Sequence, residues 1–286
     1  MTDFMPEEQV HSSESIELKI EPPRRFSLNL AELWFYRELF YFYTWRDIKV
    51  RYKQTMLGLL WVVLQPVITV TIFTVFFGRT LQISTGLLPY PLFVFSGLLF
   101  WNAFSASLVS AGNSMITNAP IIKKIYFPRL IIPLSAMLVA MLDMLVAGLL
   151  FLGMLLYYQI APTLSGLLLY WPAAFLLMLV GTTGLSCWLS ALTVKYRDVR
   201  YVVPFALQVM LFLSPVIYPI SMVSYPGLQY VLALNPMYAV IEIFRGSFGL
   251  AMDSTLMTIS AGSALLLFAI GVSYFKRTEN YFADIA

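Results

Sequence analysis

Side chains with reactive chemistry are scarce in this sequence, so where they fall decides more than how many there are. The one histidine, His11, lies in a polar N-terminal tail, which leaves no imidazole in the apolar remainder to move protons or hold a metal. The one cysteine, Cys187, has no partner within the chain. Paired carboxylates, clusters of Cys and His, and a Gly-x-x-x-x-Gly-Lys phosphate loop are all missing. Of the six acids beyond the tail and the aromatic segment that follows it, Asp143, Asp198 and Glu242 are the candidates for chemistry at a membrane face. Asp143 stands alone in a long apolar stretch, where an ionisable group must face a partner, a cavity or an interface. Proton coupling would need further ionisable groups beside it, so a packing or interface role is favoured. Asp198 sits among Lys195, Arg197 and Arg200, where an exposed pair adds little stability. Glu242 and Arg245 are three residues apart on one helical face and are placed to pair, as a structural salt bridge or as part of a gate. No catalytic residue and no metal site is expected.

Aromatic surface is the chemistry the chain does hold. Trp61, Phe73, Phe95, Trp101 and Phe104 fall in its first two apolar stretches. Aromatic faces pack against the C–H faces of sugar rings without demanding one fixed hydrogen-bond pattern. Lipid contact or ordinary helix packing is the plainer role for any one of them. Gly181, Thr182, Thr183, Gly184 and Ser186 form a small-residue patch that permits close helix contact.

The elements that must position these residues follow from the charge pattern. With 59% hydrophobic and 12% charged residues, the chain is too apolar for a soluble domain, where about a quarter would be charged. A hydrocarbon core of roughly 30 Å needs about 20 apolar residues per helix. The uncharged runs then hold six spans, near residues 57–77, 92–112, 130–157, 167–192, 202–222 and 256–275. The fold class is an all-α membrane protein of six transmembrane helices. It has an N-terminal amphipathic interfacial helix and short re-entrant external helices before the last span.

With the N-terminus inside, 16 of the 18 Lys and Arg residues lie on the cytoplasmic side, and only Arg79 and Arg245 lie outside. The positive-inside bias therefore places both termini in the cytoplasm. The net charge of +3 reports orientation and contact with anionic headgroups, not nucleic-acid binding. Residues 1–27 form a polar tail without the features of a cleavable signal peptide, expected to be flexible, and 28–286 form a single transmembrane domain.

Between tail and first span, residues 28–55 interleave aromatics with charge. On a helix, Trp34, Tyr41, Trp45, Ile48 and Tyr52 fall within roughly 60° of one another, as expected for a helix lying at the headgroup level. Arg46, Asp47, Lys49 and Lys53 lie off that stripe. The helix is either an anchor alone or also the frame of a docking surface for a cytoplasmic partner. In the first cytoplasmic connection, Asn118 and Pro120 break the helix and Pro128 opens the next. A short helix between those breaks, with an apolar and a basic face, suits contact with another protein; a plain basic loop is the alternative. The external segment 235–249 starts at a helix signal, Asn235-Pro236, and is too short to cross twice. It is expected to dip into the outer leaflet.

The chain resembles the membrane subunit of bacterial ATP-binding-cassette polysaccharide exporters, the permeases for O-antigen, capsule or teichoic-acid chains. The resemblance is carried by Arg51-Tyr-Lys-Gln-Thr-Met-Leu-Gly-Leu-Leu-Trp61 with Pro66, Ile121-Ile-Lys-Lys-Ile-Tyr-Phe-Pro-Arg129 with Pro133, Tyr196-Arg-Asp198 and Asn235-Pro-Met237. It covers about residues 28–275. It implies a type-2 permease of the inner (cytoplasmic) membrane that forms a homodimer and binds two copies of a separate nucleotide-binding subunit. ATP and Mg would sit on that partner, and this chain would hold no cofactor. Residues 113–126 would carry the coupling helix, with Asn113, Ser114, Ile116, Asn118, Pro120, Ile121, Ile122, Lys123, Lys124 and Tyr126 at or near the contact. The interfacial helix, with Trp34, Tyr41, Trp45, Arg51 and Tyr52, would brace it. Trp61, Phe73, Phe95, Trp101 and Phe104 are the aromatics for a path taken by a lipid-linked polysaccharide, and Asn235, Pro236, Glu242 and Arg245 belong to the external gate. A permease of the same type for a small lipid or drug is the alternative, and a membrane-embedded glycan-transferring enzyme is a third.

Overall fold

A computed structural model describes residues 30–53, 58–279 and 282 of the chain. The expected tail, 1–27, lies outside the described residues, as do the junctions at 28–29 and 54–57. Every regular element among the described residues is helical. The entry helix is broken at Tyr36 into α1, Leu30–Phe35, and α2, Arg37–Lys53. Helix α3, Gly58–Phe73, has Pro66 inside it and continues through a wider π-helical turn, Thr74–Thr80. Next come α4, Tyr90–Thr117, the single turn α5, Ala119–Ile122, and α6, Ile131–Tyr158. Helix α7, Trp171–Lys195, is entered through a second π turn, Gly166–Tyr170. The chain closes with α8, Val199–Phe212, the short pair α9, Pro226–Ala233, and α10, Pro236–Gly246, and α11, Ser254–Thr278.

Five of these stretches are long and apolar enough to cross a membrane: Leu60–Thr80, Tyr90–Thr117, Ile131–Tyr158, Gly166–Lys195 and Ser254–Thr278. The fifth expected span is where the structure departs from the expectation. Instead of running to residue 222, α8 stops at Phe212, and a turn through Ser214 and Pro215 follows. Fourteen residues at about 1.5 Å each reach roughly 21 Å, short of the hydrocarbon thickness. The bend of 97° between α9 and α10 marks a broken span or a re-entrant pair, in line with the expected dip of this segment.

Helix α4 is the centre of the bundle. Its apolar residues are buried nearly all round, from Leu92 to Met115, against α6, α7, α8 and α10. Helix α3 is the opposite case, with Leu60, Trp61, Val67, Ile68 and Ile72 exposed along its length. Helices α7 and α11 touch backbone to backbone where two glycines meet: a methyl on Gly271 would lie 1.9 Å from the carbonyl oxygen of Gly184. The small-residue patch thus does what its composition permits. Asn235 caps α10 by accepting from the Met237 N–H at 3.0 Å, and Asp253 caps α11 through the N–H groups of Thr255 and Leu256.

Candidate functional site

The basic segments gather at one end of the bundle. There a second apolar core joins Tyr43 of α2, Met115 of α4, Ile122 of α5, Phe127, Ile131 of α6, Val194 of α7 and Phe275 of α11. Arg129, at the start of α6, donates to the Glu279 side chain and backbone carbonyl at the end of α11. This convergence keeps Lys123, Lys124, Arg129, Lys195 and Lys276 on one side of the apolar body, the arrangement a positive-inside topology requires.

The turn expected to couple to a partner lies here. Helix α4 ends at Thr117, and Asn118 starts the one-turn α5, accepting on its carbonyl from the N–H groups of Ile121 and Ile122 at 3.0 and 3.1 Å. Pro120, Lys123, Lys124 and Tyr126 face outward, and Tyr126 is 81% exposed. Ile125 stands exposed beside them, a residue that sequence reasoning passed over. Ser114, Asn118 and Ile122 are buried, while Asn113, Ile116 and Ile121 are half-buried. The outer face of the turn is therefore narrower than the segment 113–126.

Helix α2 lies against α6 and holds the turn from the side. Tyr43 is buried, its ring 5.9 Å from that of Phe127. Burial pushes the Tyr43 phenol up, with Arg46 opposing, so it stays neutral near pH 7. Tyr41 and Trp45 fall roughly 160° round the helix from Tyr43, stacked on each other and exposed, as is Trp34 on α1. The aromatic stripe thus points away from the protein, with Tyr52 as its exception. Tyr52 turns inward and donates to Asp143 on α6. Arg51 reaches the other oxygen of Asp143 at 2.7 Å. The one acid of the apolar stretch thus has an Arg and a Tyr as partners.

That cluster rims a half-open cavity of about 950 Å³ lined by α3, α4, α6 and α8. Trp61, Phe95 and Trp101 lie at its wall with Gln65, Asn102, Ser105 and Gln208. Trp101 and Phe95 are buried and back the wall, whereas the exposed Trp61 indole with neutral amides and a hydroxyl can take up hydroxylated ligands by stacking and hydrogen bonding, with no charge at the wall below the Arg51–Asp143 rim. Two of the five expected path aromatics are elsewhere. Phe104 is buried against Trp101, with ring centroids 5.6 Å apart, and Phe73 packs edge-on to Phe77 at 5.7 Å. The polar ring was missed because Gln65, Asn102, Ser105 and Gln208 come from three helices and share no spacing in sequence.

The external set is more enclosed than expected of a gate. Glu242 and Arg245 do pair, at 3.2 Å. Arg245 is buried and makes five contacts: Nε donates to Ser96 Oγ at 3.1 Å, Nη1 to Glu242 and to the Pro215 carbonyl at 2.6 Å, and Nη2 to the carbonyls of Phe93 and Val216 at 2.9 and 3.0 Å. Its guanidinium carbon lies 3.5 Å from the centre of the Phe93 ring. Gly97 leaves the room, since a methyl there would meet Arg245 Nη2 at 2.9 Å. Asn235 and Pro236 are buried too, and Asn235 Nδ2 donates to Ser214 Oγ at 2.5 Å. Asn235 and Arg245 thus bind α10 to the turn that ends α8.

Fold and site together define a polytopic helical membrane protein with an amide- and indole-lined cavity and an exposed turn at its basic end. The family described as ABC-2 type transporter matches residues 38–248, and the chain belongs to that family. It is similar to the O-antigen export system permease protein RfbA of Klebsiella pneumoniae, 30% identical over 248 residues that cover 84% of this chain and 92% of the relative. RfbA of Myxococcus xanthus is 29% identical over 260 residues, 90% and 98% of the two chains. The polysialic acid transport protein KpsM of Escherichia coli is 22% identical over 245 residues, 82% and 91% of the two chains.

Proposed function

We propose that this chain is the membrane-spanning subunit of an ATP-driven exporter that moves a lipid-linked polysaccharide across the bacterial inner membrane. It acts as a homodimer with both termini cytoplasmic and two copies of a separate nucleotide-binding subunit, which carries ATP and Mg. The observation that carries the reading is the pairing of family with site: a chain aligned almost end to end with polysaccharide permeases has a cavity walled by Trp61, Trp101 and four uncharged polar residues. Uncharged walls hold sugar rings by stacking and by exchangeable hydrogen bonds, which lets a polymer slide where fixed charge pairs would arrest it. The bare face of α3 beside that cavity is in keeping with closure by a second copy, because isolated apolar span faces find partners or lipid.

In this reading the partner ATPase engages the outward side of residues 113–126: Pro120, Lys123, Lys124, Ile125 and Tyr126. Ile122 is unsuited to test the contact, since it is part of the core behind the turn. The test is Ile125→Asp with Tyr126→Asp in the intact complex. ATPase co-purification and surface polysaccharide are expected to fall to background while the permease accumulates in the membrane as before. Undiminished co-purification and export would overturn the assignment of the turn.

A further inference from the structure

One polar side chain of α2 reaches the coupling turn, beside the apolar packing of Tyr43. Arg46 donates from Nη2 to Asn118 Oδ1 at 2.9 Å, and its guanidinium carbon lies 4.7 Å from the centre of the Tyr43 ring. Those contacts reach the two flanks of the turn. Asn118 opens α5, and Tyr43 packs on Phe127, which closes the segment. Asp47 fixes the guanidinium plane, its Oδ1 accepting from Nε at 2.9 Å and from Nη2 at 2.7 Å. The Asn118 amide is fixed as well: Nδ2 donates to the Ser114 carbonyl at 2.8 Å, so Oδ1 is the atom turned toward Arg46. Because the Asn118 carbonyl receives the N–H groups of Ile121 and Ile122, the short helix cannot tilt without carrying this residue along.

We infer that Arg46 is a positioning residue of the transport cycle, which locks the coupling turn to α2 so that a push on α5 moves α2 and α4 as one body. Without it, only the apolar packing of α2 on Ile122 and Phe127 would tie α5 to α2, and α5 could pivot on α4 about a residue whose backbone lies at φ −99° and ψ 9°, between helix and turn. A flat guanidinium is needed: it reaches Asp47 and Asn118 in its plane and Tyr43 with its face, which an ammonium cannot do at once. Arg46 is partly exposed, so its contacts can loosen and re-form during a cycle without unfolding the bundle.

The inference rests on the reading of 113–126 as the ATPase contact, and its test separates the two. In the reconstituted complex, ATP hydrolysis and export are measured in the same sample for Arg46→Ala, Asn118→Ala and the double variant. Co-purification of the ATPase is expected to be unchanged, and polysaccharide exported per ATP hydrolysed to fall about threefold to tenfold, the size of an ordinary lost hydrogen bond at a partly exposed site. The double variant should fall by clearly less than the product of the two singles, because the Arg46–Asn118 contact is lost in each. Arg46→Lys should lie between wild type and Arg46→Ala, and it supplies the ratio if the alanine variant accumulates poorly. An unchanged export-to-ATP ratio in Arg46→Lys and Arg46→Ala, or singles whose effects multiply in the double variant, would overturn the inference. Loss of ATPase binding in the Ile125→Asp, Tyr126→Asp variant would leave the reading of the turn standing even then.

Discussion

Two guanidinium–carboxylate pairs lie in the apolar body of this protein, and they are built differently. Arg245 and Glu242 are 1% and 12% exposed, and the arginine spends its remaining donors on Ser96 and on three backbone carbonyls. Arg51 and Asp143 are closer, at 2.7 Å, yet the arginine is 41% exposed and Asp143 is its one acceptor among the described residues. The tighter pair is the freer one. Distance between charges says little about commitment; what counts is how many other groups would be orphaned if the pair opened. Arg245 knits α4, α10 and the turn after α8 into one block, whereas Arg51 guards the cavity rim and can exchange its partner for water or a ligand.

Removing Arg245 should break this comparison at its strong end. Arg245→Ala leaves Glu242 buried without its partner and strands the carbonyls of Phe93, Pro215 and Val216. Breaking a buried pair on one side costs about 3–5 kcal/mol. The variant is expected not to accumulate as a monodisperse species when membranes are solubilised and run on a sizing column. A normal elution profile at normal yield would show that the external block does not depend on this residue.

How far the sequence reveals these regions differs in the same way. Spans such as Tyr90–Thr117 are legible because hydrocarbon demands an unbroken apolar run, and the charges at Arg79 and Lys123 bound it. The end of α8 was not, because residues 201–241 contain no charge to mark a boundary; Ser214-Pro215 and Pro219 were the local signs of the break. The Glu242–Arg245 pair was readable from its helical spacing. The acceptors that fix Arg245 were not, since backbone carbonyls have no letter in a sequence. Asp143 announced that it needed a partner, but Arg51 and Tyr52 lie some 90 positions away, and only the fold shows that α2 runs along α6. The break at Asn118 was legible from helix-stopping residues, while the burial of Ile122 behind it is a tertiary fact.

Asp143→Asn probes the weaker pair. The asparagine keeps an oxygen to accept from Tyr52, and Arg51 is exposed enough to be hydrated, so the fold should lose at most about 1 kcal/mol. Thermal unfolding in detergent should shift by no more than about 2–4 °C. Export should change more than stability does, because an arginine freed at the rim alters the charge a substrate meets there. A variant that aggregates would place Asp143 with Glu242, as a residue the bundle needs in order to form.

Arg51→Lys gives the smallest effect and the sharpest contrast. Asp143 presents one carboxylate oxygen to Arg51 and the other to Tyr52, so a single-point ammonium can replace the single contact the guanidinium makes. Its stability should stay within about 0.5 kcal/mol of wild type. The same change at the external block, Arg245→Lys, cannot succeed: an ammonium has three donors for five acceptors spread over Ser96, Glu242 and three carbonyls. Comparing the melting midpoints of the two lysine variants therefore measures how much of each pair is charge and how much is the planar fork. Equal losses at the two sites would mean that the five-fold satisfaction of Arg245 carries no more stability than one exposed contact.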